Sequence, residues 1–332
     1  MRRLWQLAVM LAVLVPPAHG NDSTATLAAG GLVYTSSASI RIDREDLLIG
    51  EAAVHVAYDF TNTGTADITT LVAFPLPLLS FDQDSNYAIS GTDPVNFMDF
   101  RVQVDGRPVT PQASVRVARF GIDLTAVLAK YGIPPVPGGG DEAANQALDA
   151  KLKALPPAAR AELEQHGLID WSSAFGANNE PLPSLHWDTS VAFYWFQTFP
   201  AGKTVHVEHD YRPVPGYFFV TKESLKGDEL KAFCPDNGFR SGVGKRLAAS
   251  GSDTLQGADV QYILTTANNW LGPIGQFRLV VDKGSDGHIL STCWNGLKRL
   301  DDRHFVFEAR DFQPEGDLRL LLVKPLDQPP AP

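Results

Sequence analysis

Alternating apolar and polar residues mark the first part of the chain as β structure. The segments "SASIRIDREDLLIG" and "AVHVAYDF" carry apolar residues at every second position over most of their length, at Ile40, Ile42, Leu47 and Ile49 and at Val54, Val56, Tyr58 and Phe60. A period of two places these side chains on one face of a strand. The pattern therefore predicts strands with one face against a core.

The stretch "FTNTGTADITTLVAFPLP", residues 60–77, predicts a hairpin. Asn62 and Gly64 tolerate the backbone angles of a tight reversal. Pro75 and Pro77 end the second strand because proline has no amide hydrogen for a sheet ladder. The hairpin contains no group of obvious reactivity, so we interpret it as scaffold.

Between residues 121 and 185 the apolar period becomes helical, as in "IDLTAVLAKYG". Such a helical insert could be a lid over a site or a packing insert that covers an open sheet face. Strand-like runs return after it, with a loop-rich stretch at 213–257 and five more runs beyond. The predicted fold is mainly β, an antiparallel β-sandwich domain or domains with an α-helical insert.

These changes of pattern divide the chain into predicted segments. They are a signal peptide (1–20), an N-terminal β-sandwich region (21–120), a helical insert (121–185), a continuation of the β region with loops (186–257), a C-terminal β region (258–325) and a tail (326–332).

The first 20 residues have the composition of a secretory signal peptide. Arg2 and Arg3 precede an apolar run from Leu4 to Val15, and small residues follow. The run is shorter than the roughly 20 residues that a spanning helix needs, although an uncleaved N-terminal anchor is the alternative. We expect a periplasmic or secreted protein that does not span the membrane after cleavage.

Charge argues against a nucleic-acid partner. The chain has a formal net charge of −10, and removal of Arg2 and Arg3 lowers it to −12. Binding to phosphates needs clustered Lys and Arg side chains, so no nucleic acid is expected.

The chain has two cysteines, Cys234 and Cys293. An exported chain meets an oxidising compartment, where a single disulfide is the expected state. Two separately buried thiols are the alternative, and two cysteines alone make a poor metal site.

Candidate metal and phosphate sites are weak. His206, Glu208 and His209 could ligate a metal, but on a strand His206 and Glu208 share a face while His209 points to the other. The segment "GFRSGVGKR", residues 238–246, lacks the spacing of a phosphate loop. We therefore expect neither a metal nor a cofactor.

Several segments resemble bacterial exported proteins of domain-of-unknown-function family 4424. They are "NDSTATLAAGGLVYTSS", "RIDREDLLIG", "YDFTNTGTADITTLVAFPLP", "WFQTFPAGKTVHVEHDYRPVPG" and "NWLGPIGQFRLVVDKG". The resemblance implies an exported protein and carries no assigned activity or catalytic residues. The hairpin that ends at Pro77, together with "VDGRPV", also resembles the vault/inter-alpha-trypsin type of β domain.

The predicted function is a non-catalytic binding or structural-interaction module of the cell envelope, with an envelope protein or a glycan as partner. A hydrolase acting on a cell-envelope polymer is the alternative, so enzymatic activity stays open. Function tends to sit on loops held by a rigid scaffold, which places the expected binding surface at Trp171, His186, Trp187 and Asp188. Trp187, Trp195, Trp270 and Trp294 lie on or near predicted strands, where most large aromatic side chains are core residues. An exposed aromatic platform that binds sugars or other ring faces is the alternative.

Overall fold

A computed structural model describes residues 22–28, 31–82, 85–89, 91, 93–138, 142–175 and 181–326. The predicted signal peptide, residues 1–20, lies outside these ranges, as do residues 327–332 of the predicted tail. The helices, in chain order, are α1 (Thr125–Lys130), α2 (Glu142–Lys153), α3 (Pro157–Gln165) and α4 (Asn237–Ser250).

Strands make up most of the regular structure, which confirms the mainly β fold. In the first part of the chain they are β1 (Ser23–Ala28), β2 (Gly31–Thr35), β3 (Ile40–Gly50), β4 (Val54–Asn62), β5 (Ile68–Pro75), β6 (Leu79–Phe81), β7 (Arg101–Val104), β8 (Arg107–Val109), β9 (Gln112–Arg119) and β10 (Ile122–Asp123). In the second part they are β11 (Ile169–Phe175), β12 (Pro181–Leu185), β13 (Trp187–Phe199), β14 (Thr204–Tyr211), β15 (Gly216–Thr221), β16 (Thr254–Tyr262), β17 (Ile274–Asp282), β18 (Ile289–Thr292), β19 (Lys298–Arg299), β20 (His304–Phe312) and β21 (Leu318–Lys324).

Two large sheets share one hydrophobic core. The seven-stranded sheet has the order β10-β9-β13-β5-β1-β2, with β6 also paired to β13, and the eight-stranded sheet has the order β19-β20-β17-β3-β4-β14-β7-β8. Phe74 and Phe193 of the first sheet pack with Tyr58 and Val207 of the second. The prediction of a hairpin is wrong, because β4 pairs with β3 and β14 while β5 pairs with β1 and β13 in the other sheet. The Asn62–Gly64 turn instead carries the chain from one layer of the sandwich to the other.

The alternation that predicted β4 is confirmed, because buried and half-buried residues alternate along its whole length. Strand β3 changes phase at an irregularity between Ile42 and Arg44. Ile40 and Ile42 are buried before it, and Glu45 and Leu47 are buried after it. A bulge of this kind inserts one residue and moves the following side chains to the other face, which is how the carboxylate of Glu45 enters the interior.

Pairing along the chain is not purely antiparallel. Strand β17 runs parallel to β3 and antiparallel to β20. The last strands therefore share a sheet with the first ones. The segment boundaries drawn from the sequence stay predictions.

A smaller four-stranded sheet has the order β15-β16-β21-β18. One face contributes Val260, Tyr262 and Leu320 to the large core. The other face packs against α4 through Leu255 and Leu321. This sheet therefore joins the sandwich by one face and carries a helix on the other.

Helix α4 was missed in the stretch predicted to be loop-rich. Its glycines lower the intrinsic helix propensity, but Phe239, Val243 and Leu247 recur at helical spacing and are buried against the four-stranded sheet. The Asp236 side chain caps the first turn by accepting a hydrogen bond from the Phe239 backbone N–H at 2.6 Å. Tertiary packing and a cap thus outweigh weak propensity.

The helical insert is shorter and more mixed than its apolar pattern suggested. Ile122 and Asp123 form β10, which pairs with Arg119 and Ala118, so α1 begins only at Thr125. The insert also contains the two-stranded sheet of β11 and β12. Within the described residues, every helix is too short or too polar to cross a membrane.

Cys234 and Cys293 form the predicted disulfide, with Cα atoms 4.9 Å apart. Cys234 follows a short 3-10 turn, Lys231–Phe233, and Cys293 follows β18. The bond therefore fastens that turn to the edge of the four-stranded sheet.

We predict that replacing both Cys234 and Cys293 with Ser lowers the free energy of unfolding by roughly 4 kcal/mol, the chain-entropy value for a loop of about 60 residues. Urea unfolding of the oxidised wild type and the double variant measures the loss. Chemically reduced wild type is the control and should match the variant. An unchanged unfolding midpoint would contradict the prediction.

Candidate functional site

Trp187 is a core residue. It is fully buried, its ring lies 6.0 Å from that of Phe81, and its Nε1–H donates to the Pro135 carbonyl at 2.9 Å. A ligand could reach this indole only after local unfolding. Of the expected surface, Trp171, His186 and Asp188 remain partly accessible.

These three residues have structural partners. The Arg160 guanidinium lies 5.5 Å from the Trp171 ring centroid, and the His186 backbone N–H donates to the Leu168 carbonyl. Asp188 accepts a hydrogen bond from the Ser80 hydroxyl at 2.6 Å. Whether they bind a partner stays a prediction.

The other tryptophans divide between core and cavity wall. Trp195 and Trp270 are buried. Trp294 is partly buried and lines a surface cleft described below.

The three residues considered as metal ligands lie on two different faces of β14, as the strand pattern predicts. His206 and Glu208 lie on the partly exposed face of β14, where His206 Nδ1 is 2.8 Å from Asp59 and Nε2 is 3.3 Å from Glu208. His209 is fully buried, with Nε2 3.0 Å from Asp22. His206 and His209 therefore do not converge on one point. Among the described residues, no group of three or more His, Cys, Asp or Glu side chains could hold a metal ion.

A cleft of about 720 Å³ lies where the four-stranded sheet meets the chain that follows β5. We call it the junction cleft. Its walls are the Leu76–Leu79 segment, Tyr87, residues 216–219 of β15, Glu229, Phe233, and the side chains of Asp259, Gln261 and Arg319. Pro77, which follows the end of β5, is thus part of a cavity wall.

Aromatic and aliphatic surface dominates this cavity. Phe219 is 68% exposed and Leu78 is 49% exposed, high values for large apolar side chains. Phe218 lies over Gly257 of the neighbouring strand, where an added Cβ would come within 3.0 Å of its ring. The absence of a side chain at Gly257 therefore leaves room for that ring.

One wall of the junction cleft is polar and preorganised. Arg319 donates to both oxygens of Asp259 at 2.7–3.1 Å, and its guanidinium lies 4.6 Å from the Phe233 ring centroid. The Gln261 amide donates to Asp259 at 2.9 Å. The three polar side chains come from the adjacent strands β16 and β21, which fix their spacing.

Tyr217 is held from behind by a buried ion pair. Its hydroxyl donates to Glu51 Oε1 at 2.6 Å, and the Lys324 ammonium contacts the same oxygen. Burial and the contact with Glu51 raise the pKa of Tyr217 well above its usual range. The phenol therefore stays neutral at ordinary pH and serves as a fixed wall.

A second cleft continues from the first. Both are lined by Pro77, Leu78, Gln261 and Arg319. Beyond these shared residues the second cleft, of about 840 Å³, is lined by Trp294, Phe307, Phe312, Glu315 and Asp317 among others. The two form one groove beside the four-stranded sheet.

Sequence reasoning missed this site because its residues come from segments far apart in the chain. One local signal was present in "GYFFV", residues 216–220. Adjacent phenylalanines on a strand point to opposite faces. The two rings therefore cannot both pack in the same core. In this protein Phe219 is the exposed one.

The chain belongs to the family described as "Domain of unknown function (DUF4424)", which it matches over residues 20–321. The resemblance seen in the sequence is thereby confirmed, and the description assigns no activity. The local likeness to the vault/inter-alpha-trypsin type of domain stays a prediction. No curated protein sequence matches the chain.

Solved structures show only distant likeness. A Legionella pneumophila protein described as a candidate nutrient binding protein is 17% identical, with 92% of this chain and 70% of that one covered and a TM-score of 0.43. An M1 zinc metallopeptidase from Deinococcus radiodurans is 9% identical, with 88% and 43% covered and a TM-score of 0.23. The chain spans less than half of that peptidase. Neither likeness bears on function.

We predict that Trp187→Ala lowers the free energy of unfolding by about 3–5 kcal/mol, the usual cost of emptying a buried Trp site. His186→Ala is the adjacent control and should change it by less than about 0.5 kcal/mol. Denaturant unfolding compares the two. Equal stabilities for both variants would show that Trp187 is not a core residue.

The pKa of His206 is raised above its usual value: burial opposes protonation, but the contacts with Asp59 and Glu208 outweigh it. Protonated His206 therefore adds stability below the unfolded pKa of about 6.5, and this contribution is lost as pH rises through the higher folded pKa. We predict that Asp59→Asn lowers the pKa of His206 in an NMR titration. Asp302→Asn, on a distant surface loop, is the control. An unchanged His206 titration in Asp59→Asn would contradict the assignment.

Proposed function

We propose that this member of the DUF4424 family is an exported binding protein that holds a small organic ligand in the junction cleft without making or breaking a covalent bond. The observation that carries the proposal is the cleft itself, a preformed cavity whose apolar walls are exposed to solvent. Ligand pockets typically measure 300–1,000 Å³ and combine apolar walls with a few placed polar groups. The junction cleft has both properties.

Two features support export. The first 20 residues have the composition of a signal peptide. The Cys234–Cys293 disulfide is typical of proteins in oxidising compartments such as the periplasm or the extracellular space. We therefore place the ligand among the solutes of the cell envelope or its surroundings.

The polar groups of the cleft favour binding over catalysis. Both oxygens of Asp259 accept hydrogen bonds from Arg319, and Gln261 adds another. Burial raises the pKa values of Tyr87 and Tyr217, so neither phenol acts as a base near neutral pH. A carboxylate held by Arg319 is a poor general base. A hydrolase of envelope polymer, the alternative expected from the sequence, would need a general acid and a general base together at this place. Besides Asp259, Glu229 is the one carboxylate among the described residues that line the cleft.

A protein or glycan partner, as expected from the sequence, could meet Trp171, His186 and Asp188, which do not line the junction cleft. That placement stays a proposal of its own. Capture experiments with the triple alanine variant of these residues test it separately from the cleft.

We predict that the Leu78→Ala/Phe219→Ala double variant loses ligand. These are the exposed apolar side chains of the cleft, and removal of their contact area should weaken binding by at least about tenfold. Equilibrium dialysis of the native protein against the small-molecule fraction of an envelope extract, followed by mass spectrometry, identifies solutes enriched by the protein. These solutes should be depleted in the variant.

The Leu27→Ala/Phe196→Ala double variant is the matched control. Leu27 and Phe196 are 59% and 71% exposed but line neither cleft. This variant should enrich the same solutes as the wild type, and both variants should melt close to the wild type because exposed substitutions cost little. If the cleft variant still enriches those solutes, or if the wild type enriches none, the proposed function is wrong.

A further inference from the structure

We propose that the ligand of the junction cleft is a small organic cation, an ammonium group carried on an apolar body. This inference rests on the proposed function and adds the chemical class of the ligand. It follows from the charges and ring faces that line the cavity.

The charged residues lining the cleft leave a negative excess. They are Glu229, Asp259 and Arg319. Arg319 is bonded through Nε and Nη2 to Asp259 and packs on Phe233, so its charge is matched within the wall. Glu229 is exposed and remains as a net carboxylate. The adjoining second cleft adds the acids Glu315 and Asp317, while its only Lys or Arg side chain is the same Arg319 among the described residues.

Further carboxylates lie near the Tyr87 hydroxyl, which is part of the cavity lining. Burial is the main cause of the raised pKa of Tyr87, the Ser80 backbone N–H that donates to the hydroxyl lowers the pKa, and the charges of Asp82, Asp259 and Asp188 raise it. Asp259 is matched by Arg319, so Asp82 and Asp188 are the additional negative charges. They disfavour an anionic ligand beside this hydroxyl.

Aromatic ring faces are the second feature of the cleft that favours a cation, after its negative charge. Tyr87, Tyr217, Phe218 and Phe219 all line the cleft. An ammonium over an aromatic face is stabilised by about 0.5–2 kcal/mol, most when it is withdrawn from water. The protein already uses this pairing behind the wall, where the Lys324 ammonium lies 5.4 Å from the Tyr217 ring centroid and contacts Glu51. Lys324 is buried and matched by Glu51, so it adds no net charge to the cavity.

The junction cleft by itself has the size of a small-molecule site. The cleft volume of about 720 Å³ lies within the range of drug-sized ligand sites. A neutral or anionic aromatic compound would find the same apolar walls but not the charge complementarity. A test must therefore compare an aromatic cation with a neutral and an anionic aromatic compound.

Three soluble probes of similar size separate the classes: benzylammonium, benzyl alcohol and benzoate. We expect benzylammonium to bind the wild-type protein at least about tenfold more tightly than benzyl alcohol, and benzoate to bind most weakly. Titrations followed by NMR measure the three affinities at pH 7. The advantage of the cation should shrink as ionic strength rises, because salt screens the carboxylates.

Two variants test which carboxylates cause the preference for benzylammonium. Glu229→Gln removes the net carboxylate and should reduce the preference for benzylammonium several-fold. Asp259→Asn should reduce it more, because Arg319 then contributes an unmatched positive charge. Glu164→Gln, an exposed acid of α3 that lines neither cleft, is the matched control and should leave all three affinities unchanged.

The inference is overturned if benzyl alcohol or benzoate binds as tightly as benzylammonium, if none of the three binds, or if neither Glu229→Gln nor Asp259→Asn changes the preference. These outcomes leave the proposed function standing, because the dialysis experiment detects a ligand of any charge. If the wild-type protein enriches no solute in the dialysis experiment, both the proposed function and this inference are wrong.

Discussion

The buried contact between Asp22 and His209 is the constraint on which the arrangement of the sheets depends. Asp22 leads into β1 of the seven-stranded sheet and His209 lies on β14 of the eight-stranded sheet, and both are fully buried. Trp270 donates its indole N–H to the Asp22 carbonyl oxygen at 2.5 Å. A buried polar pair is costly unless its partners stay in place, so the contact fixes the two sheets in one relative position. The rings of Phe74 and Trp195 pack around the imidazole and exclude water.

The position of the four-stranded sheet follows from polar contacts on its inner face. Tyr262 meets Tyr58 of the eight-stranded sheet, hydroxyl to hydroxyl, at 2.9 Å, and Lys324 is paired with Glu51. Helix α4 covers the outer face of the sheet. The junction cleft lies at the edge strand β15 beside Pro77, where Tyr217 and Phe219 from one face of the strand and Phe218 from the other line it. The cleft is thus the uncovered edge of a sheet whose orientation is fixed by its inner face.

Rigid surroundings support the proposed binding role of this cavity. Its polar wall belongs to paired strands, Tyr217 is braced by a buried ion pair, and Phe233 stands on a turn fastened by the neighbouring Cys234. Side chains that cannot rearrange lose little entropy when a ligand arrives. The same rigidity gives the negative potential and the ring faces a constant geometry, which supports selection by charge as well as by shape.

The sequence by itself determined the β fold, the family and the disulfide. Alternation in β4, the turn residues after it and the pairing of the only two cysteines are local or compositional properties, so they can be recognised without coordinates. That the turn joins two sheets and not two paired strands was decided by tertiary structure. Tertiary structure alone decided that α4 is a helix, that Trp187 is core, and that Pro77, Phe219 and Arg319 share a cavity. The reason is physical: burial and proximity depend on which faces of separate sheets meet. That choice is made by contacts between segments that are far apart in the chain, such as Trp187 with Pro135 and Arg319 with Phe233, which no local pattern records.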